Sequence, residues 1–140
     1  MKIITILAFI FLLSVSACAE NQAPDFTVYS TSMPFYNTRM LLEFEMDDVS
    51  KTPVCRSIDT TFPLSQADAI SAALKWASED FDKGKKWRVD QVSLHFVSVG
   101  IDDPRCLYVV QLMPLNEMQS LPIGVFTNGK IQSPVPEKGE

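Results

Sequence analysis

The sequence predicts an α+β fold, one helix packed on a small antiparallel sheet of about four strands. Three observations lead there. Residues 62–81 place apolar side chains at helical spacing, residues 38–46 alternate apolar and polar, and several strand-like runs joined by short turns follow the helix. Strands that neighbour one another in sequence pair antiparallel, and a single amphipathic helix covers one face of the sheet they make.

Taken in order, Phe26 to Asn37 mixes aromatics with Ser, Thr and Pro without a clear period, which fits a loop or a short edge strand. "TRMLLEFEM" then alternates. Met40, Leu42, Phe44 and Met46 share one face and Arg39, Glu43 and Glu45 the other, the period of a half-buried strand. Asp47 to Pro53 ends it with charge, Ser and Pro, and Cys55 lies in the connection beyond.

The helix starts in "FPLSQADAISAALKWASEDF". Ser65 is an N-cap with Asp68 three positions on, a carboxylate variant of the capping box. Ile70, Ala73, Leu74, Ala77 and Phe81 form the apolar stripe, widened by Ala69, Ala72 and Trp76. "DKGKK" stops it, with Gly84 as C-cap and lysines suited to the helix dipole.

In "WRVDQVSLHFVSV", Val92, Leu94 and Phe96 face one way and Ser93 and His95 the other. Trp87 and Val89 are out of phase with them, so a bulge or a later strand start is expected near Asp90. "GIDDP" reads as a turn and "RCLYVVQLM" as a central strand, because it is apolar on both faces. Asn128-Gly129 in "IGVFTNGKI" is a hairpin signal, leaving Ile131 a brief final strand before a frayed tail. The expected division is therefore a signal peptide at 1–17, a tether and irregular segment at 18–37, the α+β domain at 38–132 and a flexible tail at 133–140.

The first residues have the pattern of an export signal. Lys2 precedes an apolar run from Ile3 to Leu13, broken only by Thr5, and small residues follow at Ser14, Ser16, Ala17 and Ala19. The run is shorter than the roughly 20 residues of a spanning helix. Two processing patterns overlap at Cys18. "ACA" is an A-x-A site that would cut after Ala19 and discard the cysteine. "VSAC", Val15 to Cys18, resembles the lipobox of bacterial lipoproteins, which implies that Cys18 is lipidated and becomes the first residue of the mature chain. We favour the lipoprotein. Buried methylenes contribute about 0.8 kcal/mol each, so several acyl chains anchor stably, and the polar "AENQAPDF" suits a tether. Lipoprotein sorting retains proteins with Asp after the cysteine at the inner membrane; Ala19 stands there, so the resemblance implies the outer membrane, facing the periplasm. The alternative location is periplasmic or secreted.

Beyond the leader two cysteines remain, and export favours a Cys55–Cys106 disulfide. Closing a loop of about 50 residues stabilises by roughly 4 kcal/mol on the chain-entropy account. With 12 basic and 17 acidic residues the net charge is −5, and no basic run occurs that would suit nucleic acid.

Catalytic equipment is sparse. The one histidine, His95, has serines nearby but no evident partner for base catalysis, and no GxSxG occurs. The pairs Asp47-Asp48 and Asp102-Asp103 sit in turn-like segments, where solvated carboxylates are expected rather than a metal site. "DFDKGK", Asp80 to Lys85, begins like a calcium loop but lacks its closing ligands. "MPFYNTRM" groups Met33, Phe35, Tyr36 and Met40, read as core or edge packing. No catalytic residue, metal site or cofactor is expected.

"ADAISAALKWA" is similar to the opening helix of PepSY modules, and Phe62 to Ile131 resembles the helix-plus-curled-sheet pattern of the PepSY and cystatin-like kind. The resemblance implies a binding module that modulates a peptidase. The expected function is thus a non-enzymatic envelope lipoprotein whose sheet face or edge binds a protein or peptide. The alternative is a soluble module that binds a small ligand between helix and sheet, lined by Trp76, Phe96 and Tyr108.

Lipidation has a direct test in the intact mass of the mature protein from a bacterial host. The expected mass is that of residues 18–140 plus acyl groups, lost in Cys18→Ala; a bare chain beginning at Glu20 in both would sink the lipobox reading.

Overall fold

Two antiparallel sheets build the fold where the sequence predicts one. The computed structural model describes residues 27–56 and 62–139. Strand β1 (Thr27–Phe35) and β2 (Thr38–Glu45) form a hairpin, followed by a short helix α1 (Met46–Ser50). The main helix α2 (Gln66–Trp76) runs into a π-helical turn (Ala77–Phe81). Then come β3 (Trp87–Ser98), β4 (Pro104–Pro114), β5 (Leu121–Phe126), β6 (Ile131–Gln132) and β7 (Val135–Pro136). The larger sheet has the order β3-β4-β5-β6 and the smaller β1-β2-β7.

The class α+β holds, and α2 forms on the expected signals. The Ser65 hydroxyl accepts the Asp68 N–H at 3.1 Å and donates to the Asp68 carboxylate at 2.6 Å, closing the N-terminal turn. The buried stripe is Ala69, Ala73 and Ala77, with Leu74, Trp76 and Phe81 half-buried beside it. It is centred one position before the stripe the periodicity suggests, and Ile70 falls outside the cluster. Alanines at the contact line let the helix backbone lie close on the sheet, and the larger apolar residues flank it. Gly84 does not cap α2 directly. It takes φ +95° in the turn that follows the π-helical segment, where the Lys85 N–H donates to the Asp82 carbonyl at 3.3 Å.

Strand β4 is buried on both faces, as its composition foretells. Tyr108, Val110 and Leu112 face α2 together with Leu121, Ile123 and Val125 of β5. Leu107 and Val109 belong to a second cluster with Leu42, Phe44, Val49 and Phe126. Alternation along β4 puts the two sets on opposite faces of the larger sheet. One face is covered by the helix and the other by β2. Near the hairpin tip Phe35 and Met40 join the helix-side cluster, so the smaller sheet reaches both bodies of the core.

Gly124 on β5 is what lets the two sheets approach. A Cβ there would collide with the Phe44 ring and come within 2.8 Å of Gln132 Cβ. Phe44 is fully buried and meets Phe126 edge-on at a centroid distance of 5.0 Å.

The register of β3 against β4 shifts between Val89 and Gln91, which places the expected bulge at Asp90. The Asn128-Gly129 hairpin forms, with Gly129 at φ +86° and its N–H on the Phe126 carbonyl at 2.8 Å. Cys55 and Cys106, both buried, stand at disulfide distance, Sγ–Sγ 1.93 Å and Cα–Cα 5.6 Å.

One open alternative is decided and two expectations change. The segment before Asn37 is a nine-residue edge strand, paired with β2 from Thr27↔Glu45 to Phe35↔Thr38. An edge strand uses one side of its backbone and tolerates Ser, Thr and Pro34, which hides the period. Met46 starts α1 instead of extending β2. The segment expected to fray supplies β7, with Leu41↔Val135 and Met40↔Pro136 paired, and Arg39 bridges Glu137 at 3.1 Å. A strand of two residues that includes a proline has no local signature; β2 supplies its partner.

The Phe44–Gly124 contact predicts strong coupling between those positions. Gly124→Ala is expected to cost about 1–3 kcal/mol through overpacking, and Phe44→Leu in that background to recover part of it. Denaturant titration of both single variants and the double gives the coupling. Strict additivity would refute the close-approach explanation.

Candidate functional site

Where β2, β3 and β4 meet the loops at one end of the molecule, several uncommon local features gather. The β1–β2 connection has two residues, Tyr36 and Asn37, between the paired Phe35 and Thr38. Tyr36 adopts φ +55°, a left-handed conformation that bulky side chains rarely take and that costs of order 1–3 kcal/mol. Polar contacts hold it there. Its N–H donates to Gln119 Oε1 and its hydroxyl accepts from Lys85 Nζ. Lys85 also lies 4.5 Å from the centre of the Tyr36 ring.

Lys85 ties three segments together. It pairs with Glu117 of the β4–β5 loop at 3.2 Å and with Asp82 after the π-helical turn at 3.5 Å. Its pKa is raised, first by the Tyr36 hydroxyl and then by Glu117. Glu117 is held below the ordinary carboxylate range, first by its hydrogen bond with Tyr36 and then by Lys85. These groups sit near solvent, so their worth to stability is small. Their effect is positional: they fix the tip against the β4–β5 loop.

Beneath the tip lies a run of aromatic rings. Phe35 packs on Tyr36 at 4.5 Å, Phe81 at 5.9 Å and Trp87 at 6.2 Å, and Trp76 lies 5.5 Å from Phe81. The Trp87 indole N–H is buried and finds no hydrogen-bond partner among the described residues. The π-helical turn that presents Phe81 is a form often found at functional sites. Around the same end Tyr36 is 47% exposed, Leu115 49% and Met118 87%. A shallow groove of about 330 Å³ runs beside them, lined by Gly84, Lys85, Lys86, Pro114, Leu115 and Glu117 among others.

The residues singled out from sequence are dispersed. Cys18 lies outside the described residues. Cys55 and Cys106 pack beneath the opposite end, where the Cys55 N–H donates to the Pro104 carbonyl at 2.8 Å. His95 sits on β3 against the smaller sheet, its ring 4.3 Å from Tyr29 and its Nε2 2.9 Å from the Ser93 hydroxyl. Burial lowers its pKa from 6.5.

The carboxylates proposed as turn residues are mostly ion-paired. Asp47 meets Lys51, Asp48 meets Lys130 at 3.1 Å, and Asp103 grips Arg105 at 2.8 Å. Among the described residues no three His, Cys, Asp or Glu side chains come together as a metal-ligand set.

The trio suggested for a ligand pocket is not one site. Tyr108 is buried under α2 with its hydroxyl donating to the Leu64 carbonyl at 2.9 Å. Trp76 belongs to the aromatic run, while Phe96 is 48% exposed and meets Phe62 at 6.4 Å.

Of "MPFYNTRM", Phe35 and Met40 are core and Tyr36 is the exposed tip. Lys85, Glu117 and Gln119 carry no sequence signal of a site; the pairing of distant loops brings them together. The two-residue spacing of Tyr36-Asn37 between two strands was the available clue.

Compared with protein-family models, with curated proteins and with solved structures, the chain finds no match. Among the described residues no helix is long and apolar enough to cross a membrane.

The environment of His95 makes a pH prediction. With the folded pKa below 6.5, the unfolded chain binds more protons in the window between the two values, so stability rises with pH there and is lost on acidification through it. A proton NMR titration of the one imidazole reads the folded value, expected below 6.5 and returning toward it in Tyr29→Ala. A wild-type value at or above 6.5 would contradict the burial argument.

Proposed function

We propose that this protein is an exported, non-enzymatic binding module. In this reading Cys18 anchors it by lipid to the bacterial outer membrane, and the domain binds an envelope protein or peptide. The observation that carries the reading is the Tyr36 end, where large apolar side chains stay in solvent around a backbone held in a costly conformation. Exposed apolar groups around a fixed, strained turn are the features of a recognition surface. A folding role alone leaves them unexplained, since Leu115 and Met118 contribute little to the core.

The binding element proposed is a loop end rather than a sheet face or edge. An open sheet face is not on offer between the two core clusters, because α2 covers one side and β2 the other. Loop ends, strand edges and the outer face of the smaller sheet, which carries the exposed Arg39, Glu43 and Glu45, are what remain. His95 is engaged by Ser93 and Tyr29, which supports a role in packing.

Site-specific photocrosslinking in living bacteria tests this. A benzophenone side chain in place of Met118 is expected to capture a discrete envelope protein. The same group in place of Ile101, still more exposed in the β3–β4 turn, serves as control and is expected to capture none. Equal or absent capture at the two positions would remove the Tyr36 end as a recognition surface.

A further inference from the structure

The end of the molecule opposite Tyr36 gathers exposed apolar side chains where the chain enters the domain. Val28 and Tyr29 at the start of β1 pack on the same core cluster as Val97 and Val99 at the end of β3. The Tyr29 ring also lies 4.3 Å from His95. The entry point, Thr27, therefore sits beside the β3–β4 turn. In that turn the Val99 N–H donates to the Asp103 carbonyl at 3.1 Å and Asp102 takes φ +58°. Ile101 is left at the apex, 97% exposed.

Three more apolar side chains stand around the base of the turn, all of them exposed. Phe96 pairs with Cys106 across the β3–β4 ladder, and its ring meets Phe62 at 6.4 Å. Val54 precedes Cys55, which stands at disulfide distance from Cys106 and donates its N–H to the Pro104 carbonyl at 2.8 Å. An exposed apolar patch of this kind marks contact with a protein or a membrane. The charges nearby give no basic excess. Asp103 pairs with Arg105, Asp47 with Lys51 and Asp48 with Lys130, while Asp102 and Glu45 outnumber Arg56. Attraction to anionic headgroups is therefore not what this end offers; its contact is apolar.

The length of the tether selects the occupant, given the lipid on Cys18 proposed above. Thr27 follows Cys18 by nine residues (27 − 18). Such a segment reaches about 30 Å fully stretched and averages about 17 Å as a flexible chain. Strand β1 itself carries the Tyr36 tip about 30 Å from Thr27. The lipid thus holds the Ile101 end near the bilayer and leaves the Tyr36 end as the far one.

We propose that this end rests on the bilayer that holds the Cys18 lipid, with Ile101 at the boundary of headgroups and acyl chains and Val54, Phe62 and Phe96 against the headgroups. Asp102 and Asp103 follow Ile101 directly and limit the insertion to one side chain. So small a patch does not hold a bilayer by itself. The lipid makes the contact intramolecular, so a slight apolar gain is enough to orient the domain. The Tyr36 end then points away from the membrane, where a partner can reach it.

The benzophenone variants at Ile101 and Met118, irradiated in living bacteria, test this orientation when their adducts are weighed. At Ile101 the expected product is the acylated protein heavier by one phospholipid, and at Met118 no lipid adduct. Cys18→Ala is expected to lose the adduct at Ile101. Val54→Ser/Phe96→Ser is expected to reduce it, with the melting temperature of the purified variant checking that the fold is kept. No lipid adduct at Ile101, equal lipid adducts at both positions, or a protein captured at Ile101 overturns the proposal. An undiminished adduct in the double-serine variant also overturns it, because the tether alone would then be delivering the turn to the bilayer. The same masses report acylation separately. An acylated chain without the Ile101 adduct leaves the anchor standing and removes only the orientation, whereas an unacylated chain removes the anchor and the orientation with it.

Discussion

The contact of the Phe44 ring with the Gly124 backbone is the constraint on which the arrangement of the two sheets depends. β5 is buried along its whole length, so both of its faces must be covered. α2 covers one through its alanine line. The other can be covered only if β2 comes close, and a side chain at position 124 would prevent that. With the approach made, Leu42 and Phe44 complete a second apolar body with Leu107, Val109 and Phe126. The hairpin that carries them is then committed to its orientation, and its tip falls beside the start of β3 and the β4–β5 loop.

That commitment explains why the Tyr36 end differs from the rest of the surface. The hairpin must turn within two residues, because Phe35 and Thr38 are already paired. Phe35 is drawn inward to the aromatic run and Tyr36 is forced into a left-handed backbone. Contacts from segments far apart in the chain hold it in place, Lys85 and Glu117 on one side and Gln119 on the other. The π-helical turn contributes in the same direction: widening the last turn of α2 brings Phe81 to Phe35 and Trp87. The irregularities at this end therefore share one physical origin, the closing of a hairpin over a sheet end that a helix end also reaches.

In the proposed role, recognition by such an end differs from recognition by an open sheet. A sheet face would offer a broad apolar area. This end offers a few exposed apolar side chains and a fixed tyrosine beside a shallow groove. A small footprint of this kind suits a short segment better than a globular face, which commonly buries about 800 Å² per partner.

The helix with its Ser65 cap, the Asp90 bulge, the doubly buried β4, the Asn128-Gly129 turn and the pairing of Cys55 with Cys106 were all legible in the sequence. Each rests on residues close in the chain or, for the cysteines, on parity and compartment. The second sheet, the β7 pairing and the Tyr36 end were not legible. β1 has no period because an edge strand demands none, β7 borrows its partner from β2, and Lys85, Glu117 and Gln119 acquire meaning only beside Tyr36. By itself the sequence determined the elements and the faces they bury, because periodicity, capping and turn chemistry act over a few residues. Only the tertiary structure decided how many sheets those elements make and which end gathers the exposed hairpin tip, because that depends on whether a ring on one strand can rest against a bare backbone on another.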